Sequence, residues 1–88
     1  MGVHISLGEP FWRAAGVREL VYGLEGPEGL SLQELCVRLA IPGMQVASDL
    51  AEPPLFVLNG RILSSSEAHT AVVHDGDRLL VQLMLAGG

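Results

Sequence analysis

Eighty-eight residues, 49% of them hydrophobic and with a formal net charge of −5, make one small domain. That apolar fraction excludes a disordered chain. The lack of a basic stripe argues against nucleic acid as a partner, and no apolar run approaches the roughly 20 residues that cross a bilayer, so no membrane partner is expected. Residues 1–4 show no basic region followed by an apolar one, so no signal peptide is expected. The single Cys36 cannot form an intrachain disulfide, which fits a reducing compartment, and the expected location is cytoplasmic. All five cations are arginines (Arg13, Arg18, Arg38, Arg61 and Arg78), and the chain has no lysine.

In chain order, Val3-His4-Ile5-Ser6-Leu7 alternates apolar and polar, the period of a half-buried strand. Gly8-Glu9-Pro10 breaks it. Residues 11–16 suit one helical turn, with Pro10 near its start and Gly16 as its stop. Residues 17–24 read as a second strand with Leu20, Tyr22 and Leu24 inward, and residues 25–29 as a turn.

The clearest helix follows over residues 31–40. Ser31 and Glu34 have capping-box spacing, and Leu30 and Leu35 occupy the two positions of a hydrophobic staple. Leu32, Leu35, Cys36 and Leu39 form one apolar stripe. Pro42-Gly43 cannot continue the helix. Residues 44–54 are a weakly patterned connection. Asn59-Gly60, between the apolar runs 55–58 and 61–63, is a strong hairpin signal because both residues tolerate positive φ. Ser64 and Glu67 repeat the capping-box spacing for one short turn. Asp75-Gly76-Asp77 is a tight turn into the last strand, residues 78–85.

In that last strand Leu79, Val81, Leu83 and Leu85 share one phase, and Arg78, Leu80, Gln82 and Met84 the other. The uniformly apolar phase is expected in the core. Leu80 and Met84 are then expected to be substantially exposed, with Leu55 and Val57 of the neighbouring strand facing the same way. An uncovered apolar patch of a few hundred Å2 marks a partner site. The expected fold is α+β: a mixed sheet with one main helix across one face, and the first and last strands adjacent and parallel in its middle. Leu32, Leu35, Cys36, Leu39, Ile5, Phe56 and Val81 are the expected core.

Little in the chain points to its own catalysis. Cys36 lies on the apolar stripe, where cysteine behaves as a small hydrophobe rather than a reactive thiol. His4, His69 and His74 are scattered with no metal-ligand spacing, so no metal is expected. The serines 64–66 read as cap and loop. No phosphate-cradling G-x-x-x-x-G-K-[ST] loop is present. The remaining feature is the terminal segment Ala86-Gly87-Gly88. Glycines enter narrow slots closed to other residues, and Gly88, read as the last residue, would offer a free carboxylate.

The chain resembles the ubiquitin-like β-grasp sulfur carriers of the MoaD and ThiS kind. The matching segments are Pro10-Phe11-Trp12-Arg13-Ala14-Ala15-Gly16, the helix at 31–39, Val57-Leu58-Asn59-Gly60-Arg61, His74-Asp75-Gly76-Asp77-Arg78-Leu79, and Gly87-Gly88. Most like it is the MoaD small subunit of molybdopterin synthase. One departure is that residues 82–86 lack the Pro-Pro pair common in MoaD-type chains. Residues 1–85 would form the β-grasp domain and residues 86–88 a flexible tail.

The resemblance implies a non-catalytic carrier that binds no cofactor itself. A partner of the ubiquitin-activating type would use ATP to adenylate the Gly88 carboxylate, and a sulfur donor would convert the adenylate to a thiocarboxylate. The thiocarboxylate would pass its sulfur to a precursor bound by the large synthase subunit or another acceptor, in molybdopterin (molybdenum cofactor) biosynthesis. Ala86, Gly87 and Gly88 would enter the partner's active site, and Leu55, Val57, Leu80, Gln82 and Met84 would bind partners. A thiamin-type or tRNA-thiolation carrier is the sister reading. A covalent protein modifier using the same activated terminus, and a β-grasp interaction module with incidental glycines, are the others. Without lysine, the chain cannot link to itself through a side chain.

Overall fold

Val3, Ile5 and Leu7 alternate with His4 and Ser6 along strand β1 (Gly2–Leu7), and all three apolar side chains are buried. Burying each contributes about 1.5–3 kcal/mol, so the period-2 pattern fixes which face of the strand meets the core. The computed structural model describes residues 2–9, 11–41, 43–44, 46 and 54–83. Met84, Leu85, Ala86, Gly87 and Gly88 lie outside the described residues, as does Pro10. The boundary drawn at residue 85 therefore falls there too.

After β1 come α1 (Phe11–Ala15), β2 (Glu19–Gly23), β3 (Leu30–Ser31), α2 (Leu32–Leu39), β4 (Pro54–Leu58), β5 (Arg61–Ile62), α3 (Ser65–Thr70), β6 (Val72–Val73) and β7 (Arg78–Leu83). Five strands form a mixed sheet in the order β2-β1-β7-β4-β5. β1 and β7 are parallel neighbours in its middle, with Ile5 opposite Leu79 and Leu7 opposite Val81. β2 and β4 flank them antiparallel. Leu32, Leu35 and Cys36 of α2 share one buried cluster with Val3, Ile5, Phe56, Leu79 and Val81. The fold is α+β, with the longest helix over one face of the sheet, as the strand order and apolar phases predict.

Local chemistry explains the boundaries. The Ser31 hydroxyl accepts the Glu34 N–H at 3.1 Å and starts α2. The reciprocal arm of that capping box is absent, because the Glu34 carboxylate instead takes Nε of Arg38 one turn on, at 3.2 Å. Ala40 ends the helix at φ 53, its N–H bonded to the Cys36 carbonyl. The reciprocal box forms at the shorter helix α3, where Ser64 accepts the Glu67 N–H and the Glu67 carboxylate accepts the Ser64 N–H. That segment makes six helical residues rather than one turn. Asn59 and Gly60 have φ of 51 and 83, the left-handed pair that a two-residue hairpin needs.

Four expectations need correction. The second strand runs over Glu19–Gly23 and omits residues 17, 18 and 24. Leu39 is half-buried rather than in the core, since it sits in the last turn of α2. Leu83 is likewise half-buried, at the end of β7. Leu80 is half-buried, not substantially exposed. It lies on the central strand, flanked by Ser6 on one side and Val57 on the other.

Two features went unforeseen. β3 and β6 pair as a separate two-stranded ladder, Leu30 opposite Val73 and Ser31 opposite Val72. Met44, in the weakly patterned connection, is completely buried.

Candidate functional site

The face of the sheet turned away from α2 is built by the second phase of each strand. Antiparallel pairing of β4 with β7 sets Leu55 opposite Gln82 and Val57 opposite Leu80. The four described residues of the expected partner surface therefore share one face. Leu55, Val57 and Leu80 are half-buried and Gln82 is exposed. Met84, the fifth, lies outside the described residues.

The row extends further than the sequence reading placed it. Ile62 of β5 stands opposite Val57 and is 63% exposed. It shares the phase of Val57 across the Asn59-Gly60 turn, so the hairpin register itself was a signal for it. Across the other strands Leu80 is followed by Ser6 and then Glu19. Along this row the face changes from apolar at β4 and β5 to polar at Ser6 and Glu19, while Val21 of β2, opposite His4, is also exposed on it.

A shallow depression of about 200 Å3 lies at the polar end, lined by His4, Ser6, Glu19 and Val21 among others. It falls below the roughly 300–1,000 Å3 of small-molecule pockets. Among the described residues no group of three or more His, Cys, Asp or Glu is placed to hold a metal ion. Nor is any helix there long and apolar enough to cross a membrane.

The three histidines are apart from one another and exposed. Gln33 donates to Nδ1 of His69 at 2.7 Å, and Nδ1 of His74 lies 3.9 Å from the Asp77 carboxylate. Cys36 is 4% exposed, and burial pushes its thiol from the ordinary 9.0 up to about 12. A thiol held that far from ionisation is a poor nucleophile, so the cysteine belongs to the packing.

The end of the sheet toward which β1 and β7 both run carries a second cluster. Gly8, just past β1, donates its N–H to the Val81 carbonyl at 2.7 Å. Its backbone lies so close to β7 that a Cβ there would stand 2.8 Å from Cβ of Gln82. The Gly8 carbonyl accepts the Trp12 N–H, and the Arg18 carbonyl accepts the Leu7 N–H at 2.8 Å. These contacts bring Trp12 and Arg18 together. The Arg18 guanidinium lies 4.5 Å from the centre of the indole ring, and that of Arg13 lies 5.2 Å away. Sequence spacing gave no hint of this, because a loop rather than a helix carries residue 18 back to residue 12.

With this geometry the chain can be set against known proteins. No protein-family model matches it, and no curated protein sequence matches it significantly. Solved structures do. A Pyrococcus furiosus protein described as molybdopterin converting factor subunit 1 superposes with a TM-score of 0.65 at 22% identity, over 94% of this chain and 97% of that one. SAMP1 of Haloferax volcanii gives 0.65 at 19% identity, over 98% of each chain. The small archaeal modifier protein 1 of Methanosarcina acetivorans gives 0.59 at 19% identity, over 98% and 95%. At these identities the likeness establishes the fold, which is the ubiquitin-like β-grasp.

Proposed function

We propose that the chain is a ubiquitin-like carrier whose reactive group is the carboxylate of Gly88. The observation that carries this reading is topological. β7 occupies the centre of a β-grasp sheet and runs to Leu83, so only residues 84–86 separate the end of that strand from Gly87 and Gly88. Leu55 and Val57 of β4, Leu80 of β7 and Ile62 of β5 lie together on one face of that sheet. The domain is then a handle that a partner grips while the tail enters its active site.

The chemistry needs no catalytic group on the carrier. A Gly88 carboxylate oxygen attacks the α-phosphorus of ATP held by an activating enzyme. Pyrophosphate leaves and an acyl adenylate forms. A sulfur nucleophile at the sulfide level attacks the carbonyl carbon and expels AMP, giving a thiocarboxylate. Sulfur is then passed to an acceptor bound by another protein, and water restores the carboxylate. Molybdopterin synthesis is the acceptor pathway we favour, supported by the fold shared with the Pyrococcus protein. Thiamin-type and tRNA-thiolation pathways need the same carrier chemistry.

The fold shared with small archaeal modifier proteins favours a second reading. A lysine amine of another protein attacks the carbonyl carbon of the acyl adenylate, AMP and a proton leave, and an isopeptide bond forms. Both readings use one activated terminus and differ only in the nucleophile.

Intact-mass analysis separates them. The protein is incubated with lysate of the source cells, ATP and sulfide. Exchange of one terminal oxygen for sulfur is the expected result. Isopeptide-linked adducts carrying Gly88 would assign the modifier role instead. Neither product would leave an interaction module whose glycines are incidental.

A further inference from the structure

We propose that Trp12, Arg13 and Arg18 form a docking patch for carboxylates on the enzyme that activates the tail. This inference rests on the carrier reading above and names a contact that reading lacks.

The position comes from the strand register. Parallel pairing of β1 and β7 means that both strands finish at the same end of the sheet. Leu7 is opposite Val81, and the Arg18 carbonyl is bonded to the Leu7 N–H. Arg18 is therefore two strand spacings from Val81, or about 10 Å. The patch stands beside the root of the segment that leads to Gly88.

One of the two guanidiniums at the indole has no acidic partner among the described residues. The chain carries ten acids and five arginines. Arg38 and Arg61 pair with Glu34 and Glu67, and Arg13 pairs with Glu9 at 2.8 Å. Arg18 makes no ion pair among the described residues and instead lies against the indole of Trp12. Stacking on an aromatic face holds a guanidinium in place and leaves the N–H groups in its plane available. Such a pre-positioned fork suits a carboxylate, which it can bind through two parallel hydrogen bonds. Arg13 is exposed near the same ring and exchanges its Glu9 partner for a carboxylate of the enzyme at little cost, because an exposed pair is weak.

Reach decides between protein carboxylates and nucleotide phosphates. Residues 84–88, drawn out into a slot, span at most about 17 Å. A threaded tail carries Gly88 to the nucleotide and leaves the arginines at the rim of the slot. There they meet aspartates or glutamates of the enzyme surface. Rim charges of this kind act on encounter and are weakened by salt.

The test is ATP–pyrophosphate exchange by the adenylating enzyme of the source cells, measured against carrier concentration for the full chain. Arg13→Glu with Arg18→Glu should raise the KM for the carrier about tenfold or more. The maximal exchange rate should stay near wild type. Added salt should raise the KM of the wild type steeply and that of the double variant hardly at all. Arg38→Glu changes one charge on helix α2 and should leave the KM unchanged. Thermal melts of each variant show that it is folded. A folded double variant with wild-type KM and salt dependence overturns the docking patch and leaves the carrier reading standing. An equal rise for Arg38→Glu overturns it too, since net charge alone would then be responsible. No exchange with the wild type at all overturns the carrier reading, and this inference with it.

Discussion

Nδ2 of Asn59 donates to Oδ1 of Asp77 at 3.1 Å, joining two turns that lie 18 residues apart in the sequence. The bond is one part of a clasp. Oδ1 of Asn59 accepts the Arg78 N–H at 2.9 Å, and Oδ2 of Asp77 accepts the His74 N–H at 2.8 Å. The hairpin between β4 and β5 is thereby tied to the turn that starts β7. Asn59 also holds φ at 51, which few residues other than glycine tolerate as well. Asn59→Ala should cost about 1–3 kcal/mol. Asn59→Asp should cost at least as much at neutral pH, since it faces a carboxylate with a carboxylate. Urea denaturation of the three proteins checks this, and an unchanged midpoint for both variants would deny the clasp a structural role.

The two faces of the sheet should respond differently to truncation. Leu35 is fully buried under α2, so Leu35→Ala should cost about 2–5 kcal/mol. Leu80 is half-buried on the opposite face. Leu80→Ala should cost clearly less stability, and should weaken partner binding by about 1–2 kcal/mol. Equilibrium unfolding and a binding titration against the activating enzyme give the two numbers. The reverse order would mean that the outer face is not the partner face.

Cys36 makes stability depend on alkaline pH. Its thiol is raised from 9.0 to about 12 in the folded protein, by burial. The folded state therefore keeps a proton that the unfolded chain releases above pH 9. The stabilising effect is whole below pH 9 and is lost as pH rises toward 12. The slope approaches about 1.4 kcal/mol per pH unit within that window. Cys36→Ala has no proton to hold, so its stability should fall less steeply there. Denaturation of both proteins at pH 8, 9.5 and 11 reads the difference, and parallel curves would contradict it. At pH 8 the folded thiol should also resist alkylation that the unfolded chain undergoes.

Much of this fold was legible because several local signals agreed. Alternation placed Val3, Ile5 and Leu7 inward, Asn59-Gly60 set the hairpin, and Ser31 started the helix. Misses came where a pattern was too short or a contact too distant in sequence. Two-residue strands such as Leu30–Ser31 and Val72–Val73 cannot display a period. Glu34 had two available partners, the Ser31 N–H and Arg38, and sequence does not rank them. Leu80 carried the right phase but not its depth, because depth depends on the flanking strands. Of the candidate site, the strand face was readable from phase. The Trp12–Arg18 contact was not, since it needs the turn after α1 to bring residue 18 back onto the indole.

The central claim concerns the tail, and ATP–pyrophosphate exchange with the activating enzyme tests it most directly. Adenylation requires the Gly88 carboxylate at the α-phosphate of ATP, and a misplacement of about 1 Å can cost 10²-fold in a positioned reaction. Wild type should support exchange. Removal of Gly88, Gly87→Val or a C-terminal tag should abolish it with little change in melting temperature, because the tail extends past the last described strand. Cys36→Ser should lose some stability, yet still support exchange and take up sulfur. Exchange by a Gly88-deleted protein, or loss of sulfur loading in a folded Cys36→Ser variant, would contradict a carrier that works through its terminal carboxylate.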